Sequence, residues 1–512
     1  MGLRWPWRWL GLFLAVLLLF LSACGLQAPL VPGMGHEETP PSDEVPEEPA
    51  PSPEDEGDLP PLLREVAGAR FLLDAGEKSR PVTVALWPER DWAAVGLNRD
   101  DDSSVVYLFD PQKGFYSIAE NPRPLLFTAF ASVAGKPVLV WVSGTLSYAG
   151  SSGEDPRVVE VSLSDGTRKE TTLSRCREFQ AITTNGQLRW EEPAQGGVPF
   201  LCGREMRYLD LATGEVEVAI PEVPSYGDYV WPQAAPALQA VLFQDMGKED
   251  RGELLLWRRG EPLKTIASPE GSLYLPTWSR DGSHFGALIL GAGGGAPGIF
   301  PGDEGPLPLG DALGVWDGRG EPLAVLRSPH GVMNPSFAPL GSPLVFLDAQ
   351  VEEAGDTYAV RSYGLYGWER GMGTPRLLKG ALDPSRTYEV AGWLDRDQVV
   401  IRSWRNDSWG DAGGPTFRYE VVDTQTGSGR VAGEVDWLFG TYGDVVGGSL
   451  IATFGREVRI YQGGQWQPLL KLGPAILDAE PVGAVGGGYL FRLTLSDGFR
   501  EFMVWAPRVA GS

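Results

Sequence analysis

The stretch Pro276-Thr-Trp-Ser-Arg-Asp-Gly-Ser-His-Phe-Gly-Ala-Leu-Ile-Leu290 reads as two short strands around a tight Asp281-Gly282 turn. Whether it stands alone or belongs to a series decides the fold. "RGEPL" occurs at Arg259 to Leu263 and again at Arg319 to Leu323, and each is followed at a similar interval by Pro276-Thr-Trp278 or Pro335-Ser-Phe337. The hairpin is therefore repeated.

A second turn, D-x-x-T-G, appears at Asp210 to Gly214 and Asp423 to Gly427, with a relative at Asp110 to Gly114. Each follows a β-rich run such as "SSVVYLFD", "REMRYLDL" or "FRYEVVD". With further turns near Asp165, Gly371 and Gly464, the count of such turns is eight, about 40 to 60 residues apart. The unit is strand A with its "PTW" anchor, a D-G turn, strand B, a variable loop, strand C, the "RGEPL" or D-x-x-T-G turn, and strand D. This period in an all-β chain predicts a β-propeller of about eight four-stranded blades, with seven to nine allowed. Composition agrees, with 67 Gly and 43 Pro to punctuate turns and 10% aromatic residues to fill the space between sheets. The run "RFLLDAG" before the first unit has no place in it, whereas the last unit lacks a fourth strand. Arg70 to Leu73 is expected to complete the last sheet and close the ring.

The anchors resemble the TolB-like family of propeller repeats, whose blades carry a P-x-W-S-x-D-G segment; Pro276, Trp278, Ser279, Asp281 and Gly282 fit it. Pro335-Ser336-Phe337-Ala338 with Gly341 is a diluted copy, and Trp231-Pro232 and Trp393-Leu394-Asp395 are fainter. The D-x-x-T-G turns are similar to the outer hairpins of quinoprotein-type propellers. These resemblances span about two thirds of Arg64 to Ser512 and imply a fold rather than an activity.

The N-terminus has another logic. Arg4 and Arg8 precede the apolar run Leu10 to Leu21, which is short for a membrane span and has the layout of a secretory signal. Leu21-Ser22-Ala23-Cys24 resembles the bacterial lipoprotein lipobox, and the resemblance implies cleavage after residue 23 and acylation of Cys24. An ordinary signal peptide with a chance Cys and an uncleaved anchor are the alternatives. Residues 24–63 then form a tether: Gly25 to Leu63 holds ten acidic residues, ten prolines and no Lys or Arg, so it cannot bury a core. Fully extended at roughly 3.1 Å per residue it reaches at most about 120 Å. Arg64 to Ser512, the propeller, carries 41 Lys and Arg against 57 Asp and Glu. A net charge of −16 without a basic stripe argues against nucleic acid and anionic lipid as partners.

Cys176 and Cys202 lie in one unit, and in an exported protein they are a candidate disulfide; two buried free thiols are the alternative. Catalytic constellations are mostly excluded by counting. There are three His: His36 in the tether, His284 in a strand B and His330 between blades. No G-x-S-x-G elbow accompanies them. "SRDGSHF" falls one residue short of the sialidase Asp-box spacing and reads as a turn. Asp100-Asp101-Asp102 reads as a solvated turn rather than a Ca²⁺ site, and nothing calls for a cofactor.

The stronger signal lies where the unit varies. The loops between strands B and C are Tyr148 to Pro156, Gln244 to Gly252, Gly291 to Gly314, Asp348 to Tyr358 and Ser403 to Thr416. Because strands alternate in direction, these loops share one face of the disc, against short turns on the other. Trp404, Arg405, Asp407 and Trp409, with Phe300, Asp303, Glu304, Glu352 and Glu353, are the candidate binding residues of that face. The expectation is a monomeric, lipid-anchored propeller on the extracytoplasmic side of a cell membrane. It would bind an envelope protein, peptide or glycan without catalysis, a layout shared by lipid-anchored propellers of the outer-membrane assembly machinery. The alternative is a propeller enzyme acting on glycans, or a quinone-dependent dehydrogenase, which scarce His disfavours.

Overall fold

The computed structural model describes residues 63–508 except 64, 75, 77–78, 145–154, 177, 183–188, 191–192, 224–231, 246–251, 292–308, 355–356, 406–414, 437–442 and 497–499. The signal segment, Cys24 and the tether up to residue 62 lie outside the described residues. Nine antiparallel four-stranded sheets follow one another along the chain. Blades 1 to 8 occupy 79–121, 125–172, 179–220, 233–266, 271–326, 332–380, 386–436 and 444–472. Blade 9 takes three strands from Ile476–Val485, Gly488–Leu495 and Glu501–Pro507 and its fourth, outermost strand from Phe71–Asp74 near the N-terminus. The expected blade number of about eight is corrected to nine. A C-to-D turn marks every blade built from consecutive strands, but the closing blade borrows strand D and has no such turn. Eight turns therefore mean nine blades.

Ring closure is a packing event as well as a pairing one. Phe71 pairs with Trp505 and Asp74 with Phe502, while Leu73, Val482 and Trp505 of blade 9 share a buried cluster with Val84, Leu86, Ala93 and Phe109 of blade 1. The quoted hairpin is strands A and B of blade 5, Gly271–Trp278 and His284–Gly291, followed by C (Ala312–Asp317) and D (Pro322–Leu326). Its Trp278 is buried edge-on against Phe285, and its Nε1 donates to the Gln233 carbonyl of blade 4's strand A at 3.2 Å. Trp393 repeats the device, donating to Ser336 Oγ of blade 6 at 3.0 Å. The anchor Trp thus pins each of these strands A to its predecessor, which places strands A innermost. At the outer turns an Asp carboxylate accepts backbone N–H groups two and three residues on, as at Asp210 (2.9 and 3.0 Å) and Asp423 (3.0 and 2.8 Å). The closing Gly214 and Gly427 sit at φ 77° and 74°, left-handed values that favour glycine.

Two additions go beyond the unit. Val66–Ala67 forms a fifth strand outside blade 8, Val66 pairing with Leu472 and Ala67 with Lys471. Gly473 N donates to the Glu65 carbonyl at 2.6 Å. The chain therefore meets the ring at the rim that carries the B-to-C connections, descends along blade 8 and rises again as strand D of blade 9. The second addition corrects the expectation of short turns on the opposite rim. In blade 3 the A-to-B connection is long: Arg189–Trp190 pairs in parallel with strand A of blade 1, and Ala194–Gln195 with strand A of blade 2. An inner fifth strand thereby lies on the channel side of both blades. Cys176, just before strand A of blade 3, and Cys202, at the end of its strand B, are disulfide-bonded, with Cα atoms 5.0 Å apart.

Candidate functional site

The variable rim is described best at blade 6, where the stretch from Asp348 to Tyr358, expected as a loop, is two strands running on beyond their neighbours. Strand B is Leu344–Ala354 and strand C is Thr357–Trp368, paired as far as Ala354 with Thr357. Strand A (Val332–Phe337) stops at the Val332 to Asp348 pair, and strand D (Arg376–Gly380) stops at Gly364 to Gly380. A two-stranded ribbon thus stands above the ring. Glu352 and Glu353 fall on the backbone of its strand B.

Its root is braced by polar residues that counting alone did not find. Asp348, 2% exposed, accepts His330 N at 2.9 Å and Gly331 N at 3.4 Å on Oδ1, and its Oδ2 faces His330 Nδ1 at 2.8 Å. The imidazole stacks on Tyr363 with ring centroids 4.1 Å apart, and Tyr363 Oη donates to Gln350 Oε1 at 3.2 Å. A register shift opposite Asp348 and Ala349 leaves Tyr363 as the extra residue of a β-bulge, which re-aims its side chain beneath His330. A buried carboxylate needs donors, and here it takes three from one loop. Gly310, the last step before strand C of blade 5, exchanges backbone hydrogen bonds with Val332 beside this brace. The signal for the site was "SPHG" placed directly before a strand A, with an Asp sixteen residues into the blade.

The other candidates fall as follows. Arg405 ends strand B of blade 7 (Gln398–Arg405) at the rim and is exposed. Trp404, half-buried, packs edge-on against Phe417 at 5.5 Å and lies against the buried cluster of blades 7 and 8. Asp407, Trp409, Phe300, Asp303 and Glu304 lie outside the described residues.

His284 is structural. Its backbone N donates to Ser279 Oγ at 3.0 Å, its Nδ1 lies 2.6 Å from Ser283 Oγ, and burial lowers its pKa. Asp281 accepts Ser279 Oγ, Ser283 Oγ and Ser283 N at 2.7, 2.7 and 3.0 Å. Burial pushes Asp281 up, and these hydrogen bonds outweigh it, so the carboxyl sits below its usual range. Asp101 is capped by Ser103 N and Oγ, a turn.

Carboxylates gather on blade 9 at the variable-rim end of its innermost strand. Asp478, on its innermost strand, is pushed up to about 6, first by burial and then by Glu480 and Glu501, against a backbone hydrogen bond from Ala479 and the charge of Arg492. Glu480 is bonded to Arg492, Nε to Oε2 at 2.9 Å. Among the described residues no group of three His, Cys, Asp or Glu is arranged to hold a metal ion. At the opposite mouth Leu86, Pro88, Arg280, Gly447, Gly448 and Ala484 line a cavity of about 270 Å³, where the A-to-B turns of blades 1, 5, 8 and 9 meet.

No family model matches the sequence, and no curated protein matches it. Among solved structures the chain is similar to the β-propeller domain of the Trilobed protease from Pyrococcus furiosus, at 10% identity over 74% of this chain and 95% of that one, with a TM-score of 0.34. It is also similar to a eukaryotic initiation factor, at 11% identity over 80% and 100% with a TM-score of 0.43. Sqt1 from Chaetomium thermophilum is matched at 13% identity over 86% and 98%, with a TM-score of 0.37. The first of these is a β-propeller, the architecture that the nine sheets of this chain also form.

Proposed function

We propose that the protein is a non-catalytic binding or scaffold propeller, held to the extracytoplasmic face of a cell membrane by acyl chains on Cys24, that presents its variable rim to an envelope protein, peptide or glycan. The supporting observation is the asymmetry of the disc. On one rim the C-to-D connections are tight turns tied down by their own Asp side chains, as at Asp110, Asp210, Asp317 and Asp423. On the other rim the blade 6 strands rise clear of the ring on a buried brace. Rigid elements that position exposed, individually shaped connections are the usual form of a recognition surface.

Membrane attachment rests on Leu21 to Cys24 and on lipid arithmetic: at about 0.8 kcal/mol per buried CH₂, two or more chains hold a protein firmly. The acidic surface suits protein or glycan partners better than anionic lipid. The test is site-specific photo-crosslinking in cells, with the probe at Gln350 or Arg405 on the variable rim and at Gln112 or Arg319 on the opposite one. Adducts to a defined partner are expected from the first pair alone, together with an acylated Cys24 by mass spectrometry. Adducts from Gln112 and Arg319 alone, or an unmodified Met1 in membranes, would overturn the reading.

A further inference from the structure

We infer that the seam between blades 4 and 5, on the rim of the C-to-D turns, is a binding site for a small carboxylate ligand. The repeat supplies its own comparison. Strand C ends in Asp in blades 1, 3, 5 and 7, at Asp110, Asp210, Asp317 and Asp423, whereas strand C of blade 4, Glu253–Arg258, ends in Arg258. At the seam between blades 3 and 4 the Asp has an interblade partner. Arg259, which opens the first "RGEPL" copy, is ion-paired with Asp210 and lies over the Tyr208 ring, its guanidinium carbon 5.0 Å from the centroid. One seam further on, the second copy opens with Arg319, but the two residues that would receive it are exchanged. Arg258 stands in place of the aspartate and Leu256 in place of the tyrosine. A cavity of about 360 Å³ lies there, lined by Leu256, Arg258, Leu263, Lys264 and Arg319 with their turn neighbours. Pockets that hold small molecules begin at roughly 300 Å³.

Charge selects the ligand. Arg258 donates from Nε to Glu261 Oε1 at 3.3 Å and from its guanidinium to the Gly318 carbonyl. Lys264 donates to Glu321 Oε1 at 2.6 Å and to the carbonyls of Arg319 and Gly320 at 3.1 and 2.9 Å. Among the described residues the Arg319 guanidinium has neither a hydrogen bond nor an ion pair. Three cations against two carboxylates leave the seam one positive charge, on a domain of net charge −16. What is missing is the single negative charge that Asp210 supplies to Arg259 at the preceding seam. A planar guanidinium takes a carboxylate through two parallel N–H···O bonds. Buried Leu256 beneath it, with exposed Pro262 and Leu263, offers apolar surface to the remainder of the ligand. The ligand is therefore a monocarboxylate on a compact body, the form shared by acylated amino acids and uronic acids. Because this seam lies on the rim opposite the variable one, the inference does not rest on the variable rim's role.

The experiment is titration calorimetry on the full chain in detergent. The probes are N-acetylleucinate and glucuronate, with N-acetylleucinamide as the neutral control and inorganic phosphate as the other anion. At least one carboxylate is expected to bind, with amide and phosphate at least tenfold weaker, and whichever carboxylate binds tells an acylated amino acid from a sugar acid. Arg319→Gln, an exposed change, should weaken binding at least tenfold at an unchanged melting temperature. Arg258→Asp restores the aspartate of the preceding seam, so it should pair with Arg319 and abolish binding. If that chain does not fold, Arg319→Gln still decides.

No binding by either carboxylate, amide or phosphate binding within tenfold of it, or an affinity that Arg319→Gln leaves unchanged overturns the inference. So does full binding by a folded Arg258→Asp chain, which would place the carboxylate elsewhere on the disc. None of these outcomes bears on the variable rim, whose crosslinks from Gln350 and Arg405 are read separately.

Discussion

Asp478 shows how one side chain ties the ring to solution conditions. Its folded-state pKa of about 6 lies above the ordinary carboxylate value, so the folded protein holds this proton more tightly than the unfolded chain does. Stability from this group is fully present below the unfolded value and is lost as pH rises from roughly 4 through the folded value near 6. Asp478→Asn is therefore expected to raise the melting temperature at pH 7, to change it little at the acid end, and to flatten that segment of the pH profile. An unchanged slope would assign the proton elsewhere. Legibility at this scale was uneven. The Asp281 turn and the outer Asp turns could be read because their hydrogen bonds are local and recur with the repeat. The His330 and Asp348 pairing was missed despite the "SPHG" signal, because His330 lies in the connection before strand A and Asp348 in strand B, and the bulge at Tyr363 leaves no mark in the pattern. Trp404 has the residue type of a binding anchor and is half-buried against Phe417 at the edge of a core cluster, a placement that only its neighbours reveal.

At the scale of elements, the fourth strand of blade 9 carries more than its length suggests. Phe71–Asp74 covers the edge of Glu501–Pro507 and places Phe71 against Phe109 and Trp505, at 6.0 and 5.8 Å. Deleting these four residues removes two apolar anchors and reopens an edge, so stability should fall by about 5 kcal/mol or more. Denaturant unfolding followed by Trp fluorescence measures this, and a midpoint equal to that of the intact chain would show that the ring closes without the strand. The spare strand at one end and the missing one at the other were both readable, since an incomplete unit is visible wherever units repeat. The inner strand of blade 3 was not. Arg189–Trp190 and Ala194–Gln195 are two-residue pairings inside an irregular connection, too short for any periodicity to develop.

For the whole molecule, nine blades close around a channel that the chain itself narrows beside blades 1 and 2, and the N-terminal segment enters from the variable rim. A chain lacking residues 26–56 should melt at the same temperature as the full chain, because among the described residues the N-terminal segment joins the ring through Val66–Ala67, beyond the deletion. A lower melting temperature would mean that the acidic tether packs on the disc. Order along the chain has a mechanical meaning if the protein is anchored. Any pull on the tether reaches Val66–Ala67 before it reaches Phe71–Asp74, and the outer pair can be peeled from blade 8 while the strand that closes the circle stays seated. Val66–Ala67 then works as a strain relief, a short clasp that yields first, can refasten when the load drops, and shields the joint on which all nine sheets depend.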